Sequence, residues 1–254
     1  MKRIQDFSVI DTIWLNSSSY ILILKSERTL EKIEPGNFAE IKIPDTSDIF
    51  LRRPISVYDV DHDKNEISFY IKAIGKGTNK LGSLLPGNKV NIIYPLGNAY
   101  TPVKNKNVLI VGGGTGIAPF KLLGEQLSSL GSRVTYVFGA RTSEEIVLSD
   151  IFSKFGEFNC TTEDGSLGEK GLVTLHSVFN NIKDFDIVYT CGPDPMMKAV
   201  SKIAEDNNVR CEASLENMMA CGIGACLCCV TPTIRGNAVV CTEGPVFHST
   251  DLKW

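Results

Sequence analysis

Leu109-Ile110-Val111-Gly112-Gly113-Gly114-Thr115-Gly116-Ile117-Ala118-Pro119 is an apolar run that enters a glycine-rich turn and then a helical pattern over residues 119–130. A buried strand at 107–111 followed by such a turn presents free backbone amides at the start of a helix, the arrangement that cradles the phosphates of a dinucleotide. Gly112, Gly113, Gly114, Thr115 and Gly116 are therefore candidate cofactor-binding residues. The stretch is not G-x-G-x-x-G, because Ile117 stands at the last glycine position, and the next strand, 133–138, runs into Gly139-Ala140-Arg141 instead of ending in an acid. The ordinary dehydrogenase fingerprint fails on both counts. A Walker A loop is absent too, since Gly75-Lys76 is followed by Gly77.

Working outward, strand-like segments at 158–162 and 186–190 alternate with helical ones at 143–155, 174–180 and 194–207. This alternation predicts a doubly wound parallel α/β sheet with right-handed crossovers over residues 101–210. Thr190-Cys191-Gly192-Pro193-Asp194 ends the last strand at the carboxyl edge, where such sheets bind ligands. Cys191, Gly192 and Pro193 join the candidates, with plain packing as the alternative for Cys191.

Before residue 100 the texture differs. Blocks rich in β-branched and aromatic residues, at 20–24, 38–43, 55–58, 67–71 and 90–94, are separated by turn signals such as Pro35-Gly36 and Pro86-Gly87. They predict a small antiparallel β-barrel over residues 1–100. Within it, Leu51-Arg52-Arg53-Pro54-Ile55-Ser56-Val57 sets a forked guanidinium donor three residues before a hydroxyl at a strand entry, and Gly75-Lys76-Gly77-Thr78 opens a probable helix. Either alone reads as a solvated surface or a turn. Together, ahead of a nucleotide domain, they read as a pyrophosphate site.

The composition sets the bounds. The 254 residues carry a net charge of −3 with 43% apolar and 22% charged residues, and Lys and Arg are scattered without a basic run, so no basic nucleic-acid surface is expected. No apolar run approaches the ~20 residues of a membrane span. The polar start, Met1-Lys2-Arg3-Ile4-Gln5-Asp6, lacks the apolar core of a signal peptide, which points to the cytoplasm.

Five of the eight cysteines crowd into the 21 residues 221–241, inside the last segment, 211–254. Cys221, Cys226, Cys229 and Cys241 form C-x4-C-x2-C-x11-C, and chance would produce the first three spacings only about 0.01 times in such a chain. The spacing is that of a plant-type 2Fe-2S loop, with Gly222 and Gly224 letting amides face sulfur. Four thiolates could also hold zinc, although zinc sites favour paired C-x2-C units. Cys228 is read as a non-ligand, and Cys160 and Cys211 as small buried residues. The segment is too short for a core of its own and would need its metal.

Taken in order, Arg53-Pro54-Ile55-Ser56, Gly77-Thr78, Gly112 to Pro119 and Cys191-Gly192-Pro193, the chain resembles the ferredoxin-NADP reductase superfamily. With Ser214-Leu-Glu-Asn-Met-Met-Ala-Cys221 added, it looks like the electron-transfer subunits of type B dihydroorotate dehydrogenase. The resemblance implies FAD contacts at Arg53 to Ser56, at Tyr70, Ile71 and Lys72, and at Gly77 and Thr78. It implies cluster ligation by Cys221, Cys226, Cys229 and Cys241, and a nicotinamide-proximal segment at Asp164-Gly-Ser-Leu-Gly168. Ile55 stands where the superfamily often has a flavin-stacking Tyr. The implied reaction is a relay in pyrimidine (UMP) biosynthesis. A partner subunit carrying FMN oxidises dihydroorotate, electrons cross the 2Fe-2S cluster to FAD, and NAD+ is reduced, within a two-plus-two heterotetramer. The alternatives are a subunit of a sulfhydrogenase or of a bifurcating transhydrogenase, or a zinc-stapled regulatory module on a reductase fold. His62, His176 and His248 form no cluster in the sequence.

Overall fold

The computed structural model describes residues 1–254. Seven antiparallel strands come first: β1 (Arg3–Asn16), β2 (Ser19–Lys25), β3 (Phe38–Ile41), β4 (Arg53–Ser56), β5 (Asp59–Asp61), β6 (Glu66–Lys72) and β7 (Lys89–Leu96), with helix α1 (Lys76–Gly82) before the last. Their lateral order is β4-β3-β7-β1-β2-β6-β5. Two-residue alternation turns Tyr20, Leu22 and Leu24 of β2 and Ile67, Phe69 and Ile71 of β6 inward. They share one core with Ala39 and Ile41 from near the far edge, so the sheet must curl. The edge strands β4 and β5 are not hydrogen-bonded to each other. The expected barrel is therefore an open half-barrel, because β5 ends after three residues and leaves the β4 seam unpaired.

The longest strand, β1, has no counterpart among the blocks read from sequence. Only Phe7 and Val9 of its fourteen residues are buried, so it carries almost no apolar period.

The second sheet contains β8 (Asn107–Gly113), β9 (Arg133–Ala140), β10 (Glu157–Thr162), β11 (Glu169–Lys170), β12 (Ile187–Cys191) and β13 (Arg210–Ser214). The hairpin β14 (Val230–Thr233) and β15 (Gly236–Val239) stands apart, and β16 (Val246–His248) returns to the sheet edge. The order is β11-β10-β9-β8-β12-β13-β16, with β16 antiparallel on β13 and every other pair parallel. Helices α2 (Phe120–Ser129), α3 (Ser149–Phe152), α4 (Asp194–Asp206) and α5 (Val240–Glu243) complete the chain.

Two helical expectations give way locally. Over 143–155 only a 3-10 turn at Ser143–Glu145 and one turn of α3 form, because Leu148 between them takes a left-handed backbone (φ 65°). Over 174–180 the chain makes 3-10 turns; His176 Nδ1 accepts from the Val178 amide, and Asn181 leaves helical geometry.

Strand β13 is the sixth parallel strand although most of it lies in the cysteine-rich segment 211–254. That segment also shares a core with both sheets. Met219, Cys229 and Cys241 pack with Phe38 and Leu96 of the half-barrel, with Met197 of α4 and with Ala213 of β13. Two ion pairs tie the sheets together: Lys121 Nζ to Asp59 Oδ1 at 2.6 Å and Lys72 Nζ to Glu145 Oε1 at 2.7 Å. No helix is long and apolar enough to cross a membrane.

Candidate functional site

A cavity of about 570 Å³ opens where the half-barrel, the second sheet and the cysteine-rich segment meet. The unclosed seam supplies one wall, with Arg53, Pro54, Ile55 and Ser56 of β4 and Tyr70, Ile71 and Lys72 of β6. Pleat geometry alone would split each run between two faces, but at an open edge both faces reach the cavity. Gly77 is not in the wall; it backs the Arg53 guanidinium, and a side-chain carbon there would lie 3.1 Å from Arg53 Nε. Thr78 lines the cavity, and its hydroxyl accepts from the Ile74 and Gly75 amides (3.1 Å each). That bond shapes the turn and leaves the first amides of α1 without intrahelical acceptors beside Arg53, a fit to a pyrophosphate. Phe38 and Tyr70 are the aromatic rings in the wall, while Ile55 offers only an aliphatic surface.

Lys72 has a second commitment. Its ammonium pairs with Glu145, whose other oxygen accepts from the Arg141 amide at 3.2 Å just after β9. The pair holds the Glu145 carboxyl below the usual range.

At the opposite wall, β8 and β12 are parallel neighbours whose carboxyl ends meet at the switch point of the sheet. Gly112 and Gly113 end β8, and Gly114, Thr115 and Gly116 form a 3-10 turn. Thr115 faces the cavity. Gly116 lies directly on the backbone of Cys191 and Gly192, and Gly113 packs on Pro193 and Met196, so the two loops interlock at glycines. The Cys191 thiol points into the core instead of the cavity; it is fully buried, and burial pushes its pKa well up. Cys160 and Cys211 are buried as well. The Asp164 to Gly168 segment turns after β10, with Asp164 Oδ1 accepting from the Ser166 amide and hydroxyl, and it stands outside the cavity wall.

Sequence reading singled out no acid here, yet Glu216 lines the cavity, two residues beyond β13. Desolvation, and then the nearby Asp194, raise its carboxyl above the ordinary range. Its signal was the place of Ser214-Leu-Glu-Asn just past a parallel strand.

Backbone amides tie the motif cysteines into one loop cluster, with the Cys241 amide donating to Cys229 and the Gly224 amide to Cys241. Each sulfur accepts a backbone amide: Ile223 on Cys221 (3.5 Å), Cys228 on Cys226 (3.5 Å), Cys241 on Cys229 (3.4 Å) and Gly224 on Cys241 (3.2 Å). Left-handed backbone at Gly222, Gly224 and Leu227 turns those amides inward. Amide donation from Ile223 lowers Cys221 to about 6, whereas burial raises Cys241 to about 12. No three of the groups converge as ligands of a single ion. Four thiols whose sulfurs each accept a backbone amide fit an iron-sulfur cluster, whose sulfurs take such bonds. Cys228 is exposed and lines the cavity.

Half-barrel, switch-point sheet and cysteine loop together define a reductase of ferredoxin-reductase-like fold with an iron-sulfur domain. The model of the iron-sulfur cluster binding domain of dihydroorotate dehydrogenase B matches residues 216–253, and that of the oxidoreductase NAD-binding domain matches 110–202. The chain is 35% identical to the dihydroorotate dehydrogenase B (NAD(+)), electron transfer subunit, of Fusobacterium nucleatum over 99% of both chains, and 36% identical to that of Shouchella clausii over 90% of both. It belongs to this family of electron-transfer subunits. Among solved structures, an NADH-dependent reduced ferredoxin-NADP oxidoreductase studied for flavin-based electron bifurcation matches with a TM-score of 0.87 at 28% identity, over 98% of this chain and 90% of that one. The ferredoxin reductase of carbazole 1,9a-dioxygenase shares the fold, with a TM-score of 0.71 at 17% identity over 82% and 67%.

Proposed function

We propose that this chain is the electron-transfer subunit of an NAD+-dependent dihydroorotate dehydrogenase B acting in pyrimidine biosynthesis, with FAD, a 2Fe-2S cluster and NAD as its cofactors. The observation that carries the reading is the shared cavity: the β4 and β6 seam, Thr115 of the glycine turn and Cys228 beside the cluster ligands all line one space. Flavin and iron-sulfur groups supply the two-electron and one-electron chemistry. Arg53, Gly77 and Thr78 bind the flavin's pyrophosphate, and Pro54, Ile55, Ser56, Tyr70, Ile71 and Lys72 hold the rest of it. Gly112 to Gly116 and Cys191 to Pro193 bring the nicotinamide dinucleotide over the same cavity, with Cys191 contributing backbone because its thiol is buried. Cys221, Cys226, Cys229 and Cys241 hold the cluster. The working division is residues 1–100 for FAD, 101–210 for NAD and 211–254 for the cluster.

The partner is a catalytic subunit that carries FMN and oxidises dihydroorotate, in a cytoplasmic heterotetramer of two plus two. Each motif in this chain serves a cofactor, so the isolated chain reduces dyes with NADH and leaves dihydroorotate untouched. Steady-state assays of the purified chain, with and without protein co-purified from its host, test this. Dihydroorotate turnover by the lone chain would overturn it, and capture of a hydrogenase or transhydrogenase subunit would move the assignment to that class.

A further inference from the structure

Glu40 is a buried acid for which the fold supplies no partner. Its side chain is 0% exposed, and neither carboxyl oxygen has a hydrogen-bond partner. The other fully enclosed acid, Glu212, is treated differently: Arg210 Nη2 lies 2.6 Å from one oxygen, and the Thr101 amide donates to the other at 2.9 Å. An uncompensated carboxyl in a protein interior is costly, so its position calls for a reason.

The pleat of β3 sends Ala39 and Ile41 into the half-barrel core and Phe38 to the opposite face, towards the cysteine-rich segment. Glu40 shares the face of Phe38. What covers it is the cluster loop. A side-chain carbon built on Gly222 would lie 2.7 Å from Glu40 Cγ and 3.4 Å from Oε1, so the backbone immediately after Cys221 rests on the carboxyl. Arg52 acts on the carboxyl through its charge and not by a hydrogen bond, since Nη1 donates to the carbonyls of Glu40 (3.3 Å) and Asn91 (3.0 Å) and Nη2 to Asn91 Oδ1 (2.5 Å).

We propose that Glu40 is a positioning residue for electron transfer, whose unpaired carboxylate beneath Gly222 holds down the reduction potential of the iron-sulfur group bound by Cys221, Cys226, Cys229 and Cys241. The inference rests on the ligand assignment proposed above. One-electron reduction adds one negative charge to that group, and a fixed negative charge in a weakly polarisable interior opposes the addition. The electron is thereby passed on towards the flavin instead of being retained. Burial, offset by Arg52, raises Glu40 to about 7, so the carboxylate is tested in alkaline solution.

The experiment is a redox titration of the FAD- and cluster-loaded protein at pH 9, following the reduced cluster by electron paramagnetic resonance and the flavin by absorbance. Glu40→Gln keeps the shape and removes the charge. Its one-electron equilibrium is expected to shift at least tenfold towards reduction, about 59 mV upward, with a much smaller change at the flavin. Glu40→Met should move the midpoint in the same direction, and Glu40→Asp should stay near the parent. An unchanged or lowered midpoint in the Gln and Met variants overturns the proposal. Loss of iron from both would also overturn it, by making Glu40 structural. Iron and sulfide analysis of the parent comes first, and a parent without two of each per chain refutes the ligand assignment itself.

Discussion

The carbonyl of Cys191 occupies the space that a side chain on Gly116 would need. Because β8 and β12 are hydrogen-bonded neighbours, neither loop can retreat without disturbing the register Cys191 to Gly112. Gly116→Ala should therefore cost about 1–3 kcal/mol, as overpacking does. It should also displace the glycine turn and raise the KM for NADH more than it lowers kcat with a dye acceptor. A lower urea midpoint together with the KM shift checks both parts; parent-like values for both would mean that the loops are not interlocked.

The ion pair between Lys72 and Glu145 joins the β6 wall of the cavity to the turn after β9, with side chains about one-third exposed. Such a pair contributes about 0.5–1 kcal/mol. Glu145 has its folded pKa lowered, first by the hydrogen bond from Lys72. Its contribution is thus present above the unfolded carboxyl pKa of 4.5 and is lost as pH falls through the lower folded value. A double-mutant cycle of Lys72→Met and Glu145→Gln at pH 7 should give that coupling energy, and repeating it near pH 3.5, where the parent still folds reversibly, should give less. Equal coupling at both pH values would contradict the pairing.

How far these features could be read in advance depends on what each residue's environment writes into the chain. Gly112 to Gly116 and the C-x4-C-x2-C spacing are legible because backbone crowding and metal ligation restrict residue type at fixed intervals. Strand β1 was invisible because its stability comes from pairing with β2 and β7 and not from an apolar face. The open seam was equally hidden, since closure depends on how far β5 extends and alternation does not report it. Glu40 alternates with Ala39 and Ile41 like any solvent-facing strand residue, so only the folded chain reveals that the cluster loop covers it.

Cys228 and Cys226 are both exposed, but only Cys226 has its sulfur tied to the loop, by the Cys228 amide. A backbone donor survives a change of side chain. Cys228→Ala should accordingly retain the parent's iron content and visible spectrum, while Cys226→Ala loses iron. Iron analysis and circular dichroism in the visible range distinguish them. If Cys228→Ala were the variant to lose iron, the ligand set would have to be redrawn as C-x4-C-x1-C.

Cys221→Ser separates the two electron-transfer legs. The half-barrel core draws on no residue of the cysteine-rich segment, and Leu215 and Met219 anchor that segment through apolar contacts of their own. Loss of one thiolate should therefore remove the cluster without unfolding the flavin and nicotinamide sites. The variant is expected to bind FAD at parent stoichiometry, to keep NADH-dye reduction within about twofold, and to lose at least 100-fold in NAD+ reduction driven by dihydroorotate through the catalytic subunit. Stopped-flow absorbance of the flavin after mixing with NADH reads the first leg, and coupled turnover of the reconstituted complex reads the second. Parent-level coupled turnover in a variant shown to lack iron would mean that electrons reach the flavin by another path, and Cys221 would then have no part in the relay.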